Sequence, residues 1–381
     1  MKKVGILTLN GYFNYGNRLQ NYALQEVIKC LGFDVETIKV SLEKNVDIKN
    51  NFKIDKLKRI KSLCFKEFIC KLSYRVWRIM HNKRIINSIN QREELFKEFT
   101  KNFIVETNYT ISDNKIPDDI NSKYDFFITG SDQVWNPNYN YGSPIYFLTF
   151  ASKHKRIAYA PSFGVSEIEP EFVDNYKEWL SEMNKLSVRE DDGARIIKAL
   201  TGRDTPVLVD PTLLLTKEKW LSIAKKAKNK PKQNYLLTYF LGVMTEKYKK
   251  QIKNVAKINK LKIINLGNIR DWKTYIIDPN EFIDYIDSCS VFCTDSFHGV
   301  VFSILLEKPF IVYKRRGNSF SMYSRIDTLL KKFDLESREA ENIMTNEDVF
   351  NIDFSHVQLI LEQERKKAFE YLKEALKMEN E

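Results

Sequence analysis

The sequence predicts an α/β protein of two doubly wound, Rossmann-like domains, with a basic helical insertion in the first. Three observations carry that prediction. Apolar runs of strand length alternate with stretches of helical length over residues 3–202, and the alternation begins again at residue 235. The lysine-rich, proline-bearing stretch 217–232 separates the two series, as a crossing between domains does. The strands end repeatedly in polar turns, the edge at which open parallel sheets bind ligands. The domains are expected at 1–205 and 206–350, with the insertion at about 41–105 and a C-terminal helix in 351–381 packed back across both.

The opening reads strand (4–9), turn (10–16), helix (17–31, closed by Gly32) and strand (35–40), a βαβ unit. A turn explains Gly16 by itself. It does not explain the density of amide and guanidinium groups after it. Arg18 at a helix start is electrostatically unfavourable unless an anion neutralises it, so Asn17 and Arg18 are candidate ligand contacts. After the insertion come strands at 124–129 and 156–160, a helix at 171–183, the stretch Leu186 to Glu190, and a helix ending near Gly202. The second series has strands at 235–241 and 261–266 with a helix between them, a helix at 281–288, and a strand at 291–293. A buried helix at 300–306, a strand at 310–313 and a long charged helix at 357–378 follow.

Composition narrows the function classes. With 43% hydrophobic and 13% aromatic residues, the chain of 381 residues has the apolar content of a folded protein. No apolar run approaches the ~20 residues of a membrane span, and the first ten residues lead into a strand without a cleavage region, so a cytoplasmic protein is expected. Five cysteines without a CxxC pair point to reduced thiols. No GxG, no DxD and no close histidine pair occurs, so no dinucleotide cofactor, no P-loop and no metal is implied. The net charge of +11 is concentrated: between Lys44 and Arg84, thirteen Lys or Arg face three acids. Leu57, Ile60, Cys64, Phe68, Leu72, Val76 and Met80 form an apolar stripe among them, the pattern of a basic amphipathic helix or helical hairpin. Its partner is either the body of the protein or an anionic membrane surface carrying lipid-linked substrate; nucleic acid is not expected.

The densest chemistry lies at Thr294-Asp295-Ser296-Phe297-His298-Gly299, between a buried strand and an apolar helix. Hydroxyl, carboxylate and imidazole meet there at a helix start, which favours phosphate or carboxylate ligands. A second polar cluster is Asp132-Gln133-Val134-Trp135-Asn136, in which Asp132 can grip vicinal hydroxyls or cap the turn, and Trp135 can stack on a sugar or fill the core.

Six segments together resemble the polysaccharide pyruvyl transferase family: GNRLQNYALQ (16–25), GSDQVWNP (130–137), APSFG (160–164), SVRE (187–190), DPTLLL (210–215) and TDSFHG (294–299). They stand in the family's order and cover roughly residues 3–315. The resemblance implies a fold similar to the GT-B glycosyltransferases, with the acceptor on the first domain and the donor on the second. It implies phosphoenolpyruvate as donor, no metal or cofactor, and a pyruvate ketal on two hydroxyls of a sugar in a cell-surface polysaccharide or its lipid-linked precursor. By motif, His298 is the catalytic acid/base, with Asp132 a second candidate for activating a hydroxyl. Arg189, Ser296, Gly299, Arg18, Asn17 and Lys314 are expected on the donor, and Trp135, Gln133 and Asn136 on the acceptor. One departure stands out: Ser296 occupies a position where better-studied branches carry arginine. Arg18, Lys314, Arg315 or Arg316 then replaces it, or the donor differs. A nucleotide-sugar transferase and a non-catalytic saccharide-binding protein are the alternative readings.

Overall fold

The computed structural model describes residues 1–41, 73, 75–140, 143–315 and 323–378. Most of the basic insertion, including the apolar stripe from Leu57 to Leu72, lies outside the described residues, as does Arg316. Strands β1 (Lys3–Leu7), β2 (Asp34–Val40), β3 (Glu106–Ile111), β4 (Phe126–Thr129) and β5 (Arg156–Ala158) form one sheet in the order β3-β2-β1-β4-β5. Every pairing is parallel. Burial on both faces explains why β1 and β4 read as unbroken apolar runs. Strand β3 was not foreseen: it lies at the sheet edge, and only Thr107 and Ile111 of its six residues are buried, too weak a pattern to detect. The helices around this sheet are α1 (Tyr15–Cys30), α2 (Asn82–Phe103), α3 (Val173–Ser181) and α4 (Asp191–Thr201), besides shorter turns.

The second sheet repeats the plan with β6 (Tyr235–Tyr239), β7 (Lys262–Asn265), β8 (Val291–Thr294) and β9 (Phe310–Val312), all parallel in the order β7-β6-β8-β9. Its helices are α5 (Lys217–Ile223) at the crossing, α6 (Glu246–Ile258), α7 (Pro279–Ser288), α8 (Phe297–Leu305), α9 (Ser324–Lys332) and α10 (Val357–Ala375). Local chemistry fixes their starts. Asp278 and Glu281 form a reciprocal capping box at α7. Ser296 caps α8 by accepting from the Gly299 N–H at 3.3 Å, so the helix begins three residues earlier than its apolar run suggests. His298 therefore sits in the first helical turn, not in the preceding loop.

Two Rossmann-like domains thus face one another, the GT-B arrangement, and α10 ties them together. Its Tyr371 hydroxyl donates to the Ala158 carbonyl of the first domain at 2.7 Å, while Arg365 donates to the Leu213 and Leu215 carbonyls of the connecting segment. One hydrophobic core runs through both domains. At its centre Tyr15 of α1 stacks on Phe282 of α7, with centroids 4.3 Å apart, and meets Tyr239 of β6 edge-on at 5.5 Å. The Tyr15 hydroxyl is buried without a partner among the described residues, and burial pushes its pKa well up. Because the ring matters and the hydroxyl does not, Tyr15→Ala is expected to lower unfolding free energy by about 3–5 kcal/mol. Tyr15→Phe is expected to be neutral or mildly stabilising. Urea denaturation of the two variants distinguishes them, and equal losses would contradict this account of the domain contact.

Candidate active site between the two domains

In each sheet the chain reverses direction of winding once, at β1/β4 in the first and β6/β8 in the second. The carboxyl ends of strands at such a switch point leave a crevice. Here the two crevices face each other and share one cavity of about 540 Å³. The first domain lines it with Leu9, Asn10, Asn17, Asp132 and Gln133, the second with Leu241, Ser296, Phe297, His298, Arg315 and Arg325. A smaller hollow of about 370 Å³ shares Asn10, Gly11 and Phe13 with it and extends toward Ile89, Arg92 and Tyr275. Phe13 is 72% exposed, so it presents a free aromatic face at the junction.

Beneath the cavity floor lies a fully buried carboxylate, Asp210, which caps the turn Pro211–Leu214. One of its oxygens accepts from the Thr212 N–H and hydroxyl, at 3.0 and 2.7 Å. The other accepts from Ser131 Oγ at 2.6 Å and Arg189 Nη1 at 2.7 Å, and lies 3.5 Å from His298 Nε2. Burial alone would raise its pKa. The His298, Arg189 and Ser131 interactions outweigh that and hold it well below the carboxylate range. The imidazole is confined from the opposite side by α1: a Cβ on Gly16 would collide with the His298 ring. Gly16 is therefore required by close approach, a reason that turn chemistry does not reveal.

Asp132 reaches the cavity through an unusual backbone, with φ at 82°, a region that non-glycine residues rarely adopt. Its carbonyl accepts from Ser162 N–H at 2.8 Å and its own carboxylate from the Gln133 N–H at 2.8 Å, which fix the turn. The carboxylate also accepts from Asn17 Nδ2 at 3.3 Å and stands 4.0 Å from Arg189 Nη2. Asp295 holds the facing loop by accepting from the Leu241 and Gly242 N–H groups at 2.7 and 2.8 Å, and it receives Arg315 Nε at 3.2 Å.

Of the residues expected from sequence, the structure brings Asn17, Asp132, Gln133, Ser296 and His298 into one cavity wall. Arg189 lies one layer behind it, buried, with its guanidinium 4.4 Å over the Phe297 ring. Several others are elsewhere. Arg18 is fully buried and finds its anion inside the protein, donating to Glu106 at 2.9 Å and to the Leu9 carbonyl at 2.9 Å. Lys314 is drawn away by Glu339 at 3.1 Å and Glu341 at 3.6 Å. Gly299 serves packing, because a Cβ there would press on Thr294. Trp135 is wholly buried, its ring stacked on Phe147 at 5.2 Å and its indole N–H donating to the Tyr146 carbonyl, so it fills the core and presents no face to a sugar. Asn136 is buried and its side chain turns to the Asn138 N–H. Sequence reasoning missed Asp210, Phe297, Phe13 and Arg325 as site residues. For Asp210 the signal was an aspartate capping a turn inside an otherwise apolar run. For Arg325 it was an arginine among the apolar positions of a helix start.

Among the described residues no three His, Cys, Asp or Glu side chains converge as metal ligands would, and no helix is long and apolar enough to cross a membrane. A search of curated proteins finds no match. Solved structures of similar shape include UDP-GlcNAc 2-epimerase from Neisseria meningitidis, at 11% identity over 100% of this chain and 94% of that one, with a TM-score of 0.44. The Methanocaldococcus jannaschii UDP-GlcNAc 2-epimerase aligns at 12% identity over 94% and 98% of the two chains, with a TM-score of 0.43. The E. coli ADP-heptose lps heptosyltransferase II aligns at 10% identity over 96% and 99%, with a TM-score of 0.36. In sequence, the model of one family, polysaccharide pyruvyl transferase, matches residues 14–316, a span that holds the Asp210 network, His298 and all of the cavity wall except Leu9 to Phe13 and Arg325; the chain belongs to the polysaccharide pyruvyl transferase family.

Proposed function

We propose that this protein transfers pyruvate from phosphoenolpyruvate to two hydroxyls of a sugar, forming a ketal and releasing inorganic phosphate. The observation that carries this reading is His298: it opens on the cavity, at the start of α8, with a buried carboxylate 3.5 Å behind its Nε2. An imidazole so oriented can serve as a general acid and a general base. In the reaction, a proton goes to the methylene carbon of the enol and C2 becomes electrophilic. A first sugar hydroxyl adds to C2 and gives up its proton. The C2–O bond to phosphate then breaks, and a second hydroxyl adds. One hydroxyl proton replaces that used to make the methyl group and the other leaves with phosphate, so no redox partner is needed. His298 serves as the acid/base. Asp132, held by its strained turn, accepts from an acceptor hydroxyl. Ser296, the helix start and Arg189 favour the donor's negative charges.

For the acceptor, Phe13 at the junction of the two hollows supplies the aromatic surface that Trp135 does not. The described end of the basic insertion supports approach from an anionic membrane: Val76, Ile79 and Met80 are exposed beside Arg75, Arg78, Lys83 and Arg84. Cosedimentation with phosphatidylglycerol vesicles, but not with phosphatidylcholine vesicles, is expected; no preference would remove the membrane from this account.

Phosphoenolpyruvate is expected to raise the melting temperature, by mass action, where nucleotide diphosphates do not. His298→Gln is expected to keep that rise and abolish transfer. A response to nucleotide diphosphates alone would overturn the donor assignment. Asp210 generates a pH prediction. Its folded pKa lies below the ~3.9 of an unfolded aspartate, so the unfolded chain binds more protons in that window and stability rises with pH. Asp210→Asn is expected to cost about 3–5 kcal/mol at pH 7, because Arg189 loses its buried partner, and the gap to wild type narrows below about pH 4. Urea unfolding at pH 7 and pH 3 measures this; a gap that widens on acidification would contradict it.

A further inference from the structure

The cavity contains a buried cation that the fold does not use. Arg325, second residue of α9, is 7% exposed, lines the cavity and donates no hydrogen bond to any described residue. Its Nε is buried without a hydrogen-bond partner, as are Nε and Nη2 of Arg189. Both guanidinium groups lie against one ring, Phe297, at 4.4 Å for Arg189 and 5.8 Å for Arg325. Burial, and then the charge of Arg189, lower the pKa of Arg325 to about 10. Glu190 and Asp132 offset this only in part, and neither hydrogen-bonds to Arg325. Glu190 spends one oxygen on Ser162 Oγ and the Phe163 and Gly164 N–H groups, and burial raises its pKa toward the neutral form. Arg189 has Asp210 as its partner at 2.7 Å, but Arg325, buried at a helix start beside a second guanidinium, has no comparable ion pair and is unfavourable in the empty protein. It becomes favourable beside a dianion, which a guanidinium can bind through two parallel N–H groups.

We infer that Arg325 is a ligand for the phosphoryl group of the substrate, gripping it from α9 while Ser296 and the start of α8 hold it from the opposite side. The inference rests on the donor reading above for which phosphate ester is bound, but not for phosphate binding itself. It also accounts for a cavity that has serine at position 296: the guanidinium comes from a different element of the same domain.

The test is calorimetric titration of inorganic phosphate and of phosphoenolpyruvate into wild type, Arg325→Ala and Arg325→Met, in phosphate-free buffer. Both variants are expected to bind both ligands roughly tenfold to hundredfold more weakly, as loss of charged hydrogen bonds gives. Unliganded Arg325→Met is expected to melt at or above the wild-type temperature, since it removes an unpaired buried charge. Unchanged phosphate affinity overturns the inference. So does a variant that melts well below wild type without ligand, the mark of a structural cation. Wild type that binds phosphate but not phosphoenolpyruvate overturns the donor reading alone, and Arg325 is then judged on the phosphate titrations. Wild type that binds neither overturns both.

Discussion

The buried carboxylate of Asp210 is the interaction on which the site depends. It is fully enclosed, yet it bonds to Ser131 at the end of β4, to Arg189 after the SVRE stretch and to its own turn, and it reaches toward His298 on α8. Four separate parts of the chain therefore converge on two oxygens. A charge in that position is tolerable only with every partner in place, so the pieces are locked in mutual register. The cost of enclosing the charge is offset by those contacts, and what results is an oriented imidazole facing a cavity.

The fold was largely legible because its physics is local. Parallel strands buried on both faces leave apolar runs, and their polar ends mark switch points. What periodicity cannot carry was missed. Strand β3 has only two buried residues, and the start of α8 was hidden because the cap Ser296 precedes the apolar run. Among site residues, those in polar turns at strand ends, such as Asp132 and His298, were visible. Asp210 and Arg325 were not, because each gains its meaning from partners far away in sequence. Arg18 and Trp135 show the converse error. A charged or aromatic residue in a loop looks available for a ligand until an internal partner, Glu106 or Phe147, is seen to occupy it.

Charge in the cavity is divided by depth. Arg189 and Asp210 neutralise each other in the layer beneath, while Arg315 and Arg325 line the wall and Asp132 faces them. The deep pair sets geometry, Arg315 is held by Asp295 at 3.2 Å, and Arg325 is the wall cation without a hydrogen bond to any described residue. This separation lets a site be rigid in its deep layer while one wall cation, Arg325, stays electrostatically incomplete.

The contact between Gly16 and the His298 ring joins halves of the molecule that otherwise carry separate sheets. The imidazole assigned to proton transfer in the proposed reaction belongs to the second domain, but the surface that defines its resting position belongs to the first. Any hinge opening that lets an oligosaccharide in or out would lift the imidazole off that backbone and free it to rotate. In the proposed reaction, proton transfer would then be confined to the closed form, and an enol donor would be protected from premature protonation while the cleft stands open to water.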